Sequence, residues 1–292
     1  MCVLIAKYFE GTGWTAVKNR DRNYVPEINF FRTSKDGLER LLLLDEITGY
    51  TEGLNDNGIA VLTTSLMVID DEKEVKDRTK DGASRDGQRI KNSLMLGDIK
   101  DVVRYVVNKK LSGCIGVFNK EDFYLIECAY EDHDKSKFRY DVKKIPHDQT
   151  VARTNHGVFL PWAGYQREEG NERLTKSRIS SEARLAIAEE VVKKAQTPQD
   201  MIDGLCQKYT DEPQLNAVRV EDGNKEMRTT GQLMITPSEF VLYYRPIASK
   251  MSFDFWDLNR PDAKTWVEIL SARPLWQKSG WEALPTKAHR SK

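Results

Sequence analysis

Residues 2–21 read CVLIAKYFEGTGWTAVKNRD, and this stretch decides what kind of layer the chain begins with. Cys2–Phe9 is a strand-length apolar run, and Trp14–Lys18 is a second. Between them Glu10-Gly11-Thr12-Gly13 supplies the glycines that a hairpin connection favours. The same punctuation recurs further along. Asn29–Thr33 and Leu38–Leu44 flank Ser34-Lys35-Asp36-Gly37, where Asp-Gly is a strong turn signal. Ile47–Glu52 and Ile59–Ser65 enclose Gly53-Leu54-Asn55-Asp56-Asn57-Gly58, which is rich in residues tolerating positive φ. The N-terminal third therefore reads as successive antiparallel hairpins.

The order of the remaining elements completes the class. Asp70 to Arg89 is highly charged and reads as a solvated loop or as a lid over a site. Ser93–Lys109 carries apolar residues at helical spacing, with a break near Gly97. Strands are expected at Cys114–Asn119, Phe123–Ala129, Phe138–Ile145 and Thr150–Thr154. Ser180 or Ser181 is placed to cap a helix over Ala183–Ala195, and Thr197-Pro198 opens another reaching about Tyr209. Leu215–Val220, Met227–Thr236 and Glu239–Tyr244 read as further strands. No βαβ alternation is visible, which favours an α+β domain layered on antiparallel sheets. One domain spans 1–292, with an aromatic segment, about 246–292, docked at its C-terminal end.

Composition narrows the function classes. Lys+Arg and Asp+Glu both number 45, so the chain has no global charge with which to hold a nucleic-acid backbone or an anionic membrane. The apolar runs are strand-sized, far short of the ~18 residues of a bilayer span, and no signal-peptide pattern opens the chain. A cytoplasmic protein without nucleic-acid or membrane partners is the expectation. The four cysteines form no C-x-x-C pair and the four histidines no H-E-x-x-H motif, so neither a metal nor a cofactor is expected. Homo-oligomer formation is left open.

Cys2 carries the most chemistry. Removal of Met1 would leave a residue with both a thiol and a free α-amine, whose reference pKa near ~8 suits it to take and relay a proton. If the first two strands pair, Asp21 falls near the chain start, where its carboxylate can hold the α-ammonium. Read alone, Cys2 is equally a small strand residue, and Lys18–Arg22 a solvated strand end.

Taken in order, five short elements resemble the choloylglycine hydrolase group, which includes bile salt hydrolases, penicillin V acylases and acyl-coenzyme A:isopenicillin N acyltransferase-like proteins. Four are Met1-Cys2; the Asn19-Arg20-Asp21 cluster; Gly53-Leu54-Asn55-Asp56-Asn57-Gly58-Ile59, similar to G-x-N-E-x-G-L; and Arg153-Thr154-Asn155-His156-Gly157-Val158-Phe159, similar to T-N-x-x-x-F. A fifth, Ser180-Ser181-Glu182-Ala183-Arg184, is similar to S-S-x-x-R. The resemblance implies an N-terminal nucleophile (Ntn) hydrolase fold, a four-layer αββα sandwich of two antiparallel sheets. It implies Cys2 as nucleophile, Asp21 at its amine, Asn155 as an oxyanion donor and Arg184 close to the thiol. The group usually has Arg three residues before the Asp, where this chain has Lys18, and Arg20 adjoins Asp21 instead. Either is a candidate for the site's first cation.

Supporting roles fall to Asn57, His156, Trp162 and Arg178. His156 reads as a structural neighbour rather than a base. Trp162 and Tyr165 line an acyl pocket or simply pack, and Arg178 rivals Arg184. Apart from the resemblance, Asn155 also suits a turn and Arg184 a solvated helix arm. The implied reaction is cleavage of an amide C–N bond in an N-acylated small molecule through a Cys2 thioester. Transfer of that acyl group to an amine shares the first half-reaction. A binder that keeps the fold without the chemistry is the non-enzyme reading, and a glutamine amidotransferase lacks its expected arginine loop and partner domain here.

Overall fold

A computed structural model describes residues 2–22, 24, 26–35, 37–66, 85–131, 137–165, 169–219, 228–246, 266–268 and 281–283. Two seven-stranded sheets stack face to face. Sheet 1 has the order β10-β1-β2-β11-β12-β13-β14 and sheet 2 is a meander, β3 to β9. The strands of sheet 1 are β1 (Cys2–Phe9), β2 (Gly13–Arg22), β10 (Val151–Arg153), β11 (Arg228–Thr236), β12 (Val241–Pro246), β13 (Trp266–Glu268) and β14 (Trp281–Ala283). Those of sheet 2 are β3 (Ile28–Lys35), β4 (Leu38–Asp45), β5 (Tyr50–Asn55), β6 (Ala60–Thr64), β7 (Gly113–Phe118), β8 (Phe123–Tyr130) and β9 (Phe138–Ile145). All pairings are antiparallel except β13 with β14.

Strand alternation sorts each sheet's side chains into an inner and an outer set. Leu4, Ala6, Trp14 and Ala16 join Leu41, Leu43, Leu54 and Leu62 in the apolar layer between the sheets. Val3, Ile5 and Val17 face the other way, onto helices α3 (Glu172–Lys194) and α4 (Pro198–Cys206). Sheet 2 presents Leu42, Val61, Ile115 and Val117 to α1 (Arg85–Ser93) and α2 (Ile99–Asn108). The layers thus run α3/α4, sheet 1, sheet 2, α1/α2, which is the expected αββα sandwich.

Several boundaries differ from the sequence reading, each for a physical reason. The second strand runs on through Arg22, because its charged residues find partners inside the protein (below). Asp70–Arg89 was expected to be a loop; much of it lies outside the described residues, but Arg85 onward is helical and buries Ile90. Gly87 of that helix passes so close to Gly49 that a Cβ would stand 2.0 Å from its carbonyl oxygen. Helix α3 is capped by Asn171, whose side chain accepts from the Leu174 amide, well before the serines expected to cap it. Ser180 and Ser181 are interior to the helix and buried, and they bond Gln214 and the Thr154–His156 segment instead. Of the expected strand at 215–220, residue 220 lies outside the described residues, and the rest is the end of a 3₁₀ turn, Pro213–Leu215, followed by irregular chain at 216–219. The break near Gly97 and the Thr197 cap, a reciprocal capping box with Asp200, are observed. Of the C-terminal segment, 246–292, the described residues beyond Pro246 are two short strands that widen sheet 1.

Candidate active site

The first residue of β1 sits between two neighbours, opposite Arg20 on β2 and beside the end of β10. The register Leu4↔Arg153 brings Asn155, two residues past the strand end, alongside Cys2. The Cys2 backbone nitrogen donates to Asn155 Oδ1 at 3.0 Å, and Arg184 Nη2 donates to the same oxygen at 3.2 Å. Asn155 Nδ2 donates to the Ser65 carbonyl at 2.8 Å. These partners fix the amide's orientation by chemistry: two of them can only donate, and a carbonyl can only accept. The amide nitrogen carries two hydrogens, so holding Ser65 leaves the expected oxyanion role open to the second.

Alternation along β2 then splits the Lys18–Arg22 cluster. Lys18, Arg20 and Arg22 share the inter-sheet face with Cys2, whereas Asn19 and Asp21 point to the helices. On the inner face Lys18 pairs with Glu52 of β5, while Arg20 lies 3.4 Å from Glu52 and 3.7 Å from Asp45 of β4. Arg22 Nε stands 3.5 Å from Asp45 Oδ2, and Arg22 Nη1 donates to Cys2 Sγ at 3.6 Å. The two cation candidates from the sequence, Lys18 and Arg20, are therefore both committed to carboxylates, and the cation bonded to the sulfur is one that sequence reasoning missed. Its signal was there: cations at 18, 20 and 22 repeat with the strand's period of two.

On the helix face, Asp21 is fully buried and is met by Arg184 Nη1 at 3.2 Å, by Thr229 Oγ1 at 2.8 Å and by Arg219 Nε at 3.9 Å. Thr229 lies opposite Asp21 at a β-bulge in β11, which displaces one residue next to the site. Arg184 is wholly buried rather than a solvated arm. Burial and the nearby Arg219 bring its guanidinium down to about 10, with Asp21 opposing, so it is charged at neutral pH. Asp21 and Arg184 together form the floor behind Cys2, and Arg184 links that floor to Asn155.

Burial by itself would push the Cys2 thiol up. Lys18, Arg22 and the amino terminus outweigh it and bring the thiol down to about 7. The other described cysteines show the contrast: Cys128, buried beside Glu127, is pushed up to about 12. His156 is held down to about 4 by burial and by Arg178, Arg184 and Arg153, so it is neutral at physiological pH and unsuited to the role of base. Its Nδ1 lies 2.9 Å from Ser181 Oγ, which also accepts from the Asn155 amide at 3.0 Å. His156 is thus a neighbour that braces the site.

Three other residues are not brought to this cluster by the contacts observed. Asn57, exposed in the β5–β6 turn, donates to Gly97. Asn55 is the structural member of that motif, accepting from Ile59 and donating to Leu94 and Leu96. Arg178 is spent on Glu182 and the Tyr165 carbonyl. Trp162 packs, half-buried, against the inter-sheet core. The loop after His156 is held by Glu127, whose carboxylate accepts the amides of Val158, Phe159 and Leu160 and pairs with Arg153. Among the described residues no group of three or more His, Cys, Asp or Glu could hold a metal ion, and no helix is long and apolar enough to cross a membrane.

No family model and no curated protein matches the chain by sequence. By structure it is similar to penicillin V acylase from Agrobacterium tumefaciens, with 12% identity, 92% of this chain and 86% of that one covered, and a TM-score of 0.50. Two variants of the conjugated bile acid hydrolase from Clostridium perfringens also match. One has 9% identity, 88% and 94% coverage and a TM-score of 0.39; the other has 10%, 86% and 90%, and 0.40. At such identities the likeness speaks for the fold alone: this chain is an α+β sandwich of two sheets, the fold it shares with penicillin V acylase.

Proposed function

We propose that the chain is an N-terminal cysteine amidohydrolase that cleaves the amide C–N bond of an N-acylated small molecule. The observation that carries this reading is the pairing at the start of β1: the Cys2 nitrogen on Asn155 Oδ1, and the Cys2 sulfur beside a cation. The penicillin V acylase likeness supports the same class of reaction.

With Met1 removed, the nitrogen held by Asn155 is an α-amine. The thiol proton passes to it, and the thiolate attacks the substrate's acyl carbon. The carbonyl electrons move to oxygen, where the remaining Asn155 Nδ2 hydrogen and a backbone amide donate. As the tetrahedral intermediate collapses, the C–N bond breaks and the α-ammonium gives its proton to the leaving amine. Water then attacks the thioester, one proton going to the α-amine; the C–S bond breaks, the carboxylic acid leaves, and the Cys2 thiolate is restored with its proton on the α-ammonium. Asp21 and Arg184 act from behind: Arg184 keeps Asn155 Oδ1 turned toward the amine, and Asp21 compensates the guanidinium. A thiol near 7 has a large thiolate fraction at neutral pH, which suits a nucleophile that must attack and also leave.

Intact mass of the purified protein, before and after treatment with an activated acyl ester, tests the proposal. Loss of Met1 and gain of one hydroxylamine-sensitive acyl group are expected, and the acyl group should be absent in Cys2→Ala. Active protein with Met1 fully retained, or an acyl group undiminished in Cys2→Ala, overturns it. Supplying an acceptor amine sorts hydrolysis from acyl transfer through the same thioester.

A further inference from the structure

Each cation on the inner face of β2 has a different job. Lys18 is taken by Glu52, and Arg20 lies between Glu52 and Asp45. Arg22 alone among the three donates to the Cys2 sulfur. The same guanidinium group donates to the Asp21 carbonyl at 2.8 Å and faces Asp45 Oδ2 at 3.5 Å. Asp45 in turn is fixed by the Tyr24 hydroxyl, which donates to that oxygen at 2.7 Å. Arg22 is also the outermost of the three: its side chain is 15% exposed, against 1% for Lys18 and for Arg20.

We propose that Arg22 is a catalytic residue that holds the Cys2 sulfur as a thiolate by direct hydrogen bonding, and that Asp45, clamped by Tyr24, is its positioning residue. The proposal rests on reading Cys2 as the nucleophile. Charge compensation argues for it. Three cations on this face meet two carboxylates, Glu52 and Asp45, and a thiolate is the anion that balances the third. The groups around the sulfur are the amino terminus; Lys18, Arg20, Arg22 and, across the strand, Asp21 on β2; Asp45 on β4; Glu52 and Tyr50 on β5; Tyr24; and Arg184 on α3. Tyr50 is held as a neutral phenol by burial and by Glu52, so it adds no charge. A lysine could not replace Arg22, because one ammonium lacks the planar fork that reaches carbonyl, carboxylate and sulfur together.

Thiolate absorbance near 240 nm, titrated in the full chain and subtracted from a matched Cys2→Ala background, reads the contact without needing substrate or reagent access. Arg22→Gln should raise the midpoint by about one pH unit, an effect in the range of a cation adjoining a titrating group. Arg22→Lys should fall between it and the parent, and Asp45→Asn should move the midpoint up by a smaller step. Arg104→Gln, on the exposed face of α2, should leave it unchanged. A folded Arg22→Gln that titrates with the parent overturns the proposal. Should that variant not fold, parent-like midpoints in both Asp45→Asn and Tyr24→Phe overturn it equally. The hydrolase reading fails separately: a shifted midpoint in a protein that forms no acyl-enzyme supports Arg22 and refutes the reaction.

Discussion

Protonating His156 should loosen the segment that carries Asn155, and the cost can be worked from its surroundings. The side chain is 4% exposed, and its Nδ1 sits 2.9 Å from Ser181 Oγ and 3.3 Å from Thr154 Oγ1. Burial first, then Arg178, Arg184 and Arg153, hold the imidazole down to about 4 from an ordinary value of 6.5, with Glu182 opposing. In the unfolded chain the ring takes its proton near 6.5, so below that pH the unfolded state binds more protons and gains on the folded one. The stabilisation is therefore complete above about 6.5 and is lost as pH falls to and through about 4. At 1.36 kcal/mol per pKa unit, the whole loss is about 3 kcal/mol. Urea unfolding from pH 7.5 to 4, in parent and His156→Gln, isolates it: the glutamine can still bond Ser181 but cannot charge. The parent's stability should fall more steeply than the variant's, by up to about 3 kcal/mol at pH 4. Curves that run parallel within about 0.5 kcal/mol would refute the reasoning, since the carboxylates common to both proteins cannot supply a difference.

Two further perturbations probe the floor of the site. Arg184→Met should destabilise the fold by about 3 kcal/mol, the low end for breaking a buried pair, because Thr229 and Arg219 still attend Asp21; a loss below about 1 kcal/mol in urea unfolding would mean that the pair is not coupled to stability. Asn155→Ala should lower kcat by roughly 10²–10³-fold with little change in KM on any N-acyl substrate the protein cleaves; a rise in KM with kcat unchanged would remove the oxyanion role.

Much of the sandwich was legible because its signals are local. The Glu10–Gly13 and Asn55–Gly58 turns fall where glycines and asparagine allow, with Gly58 at φ +71. Thr197-Pro198-x-Asp200 announces a helix start by its own chemistry. The misread boundaries had misleading local signals. Ser180-Ser181 has the composition of a cap, yet the serines sit mid-helix because their hydroxyls serve Gln214 and Asn155 across the layer. The Leu215–Val220 segment has strand-like composition, but 216–219 is irregular chain, with Asn216 bonded to Tyr209, Thr210 and Glu212.

The residues named from the sequence that the structure brings together are Cys2, Asp21, Asn155 and Arg184, and what compensates their charges was illegible. A strand ending Lys-Asn-Arg-Asp-Arg looks solvated, since burying each charge costs several kcal/mol unless a partner is supplied. The partners come from elsewhere in the chain: Glu52 and Asp45 from the second sheet for the even-numbered cations, and Arg184, Arg219 and Thr229 for Asp21. Alternation is what makes this workable, because it sends three cations to one face and the aspartate to the other within five residues. A core that needed only stability would be better served by apolar residues at these positions, as they are at Leu4 and Ala6 on the neighbouring strand. Departures from local rules gather where a fold does chemistry. Here the departure surrounds Cys2, with Arg22 on its sulfur and Asn155 on its nitrogen.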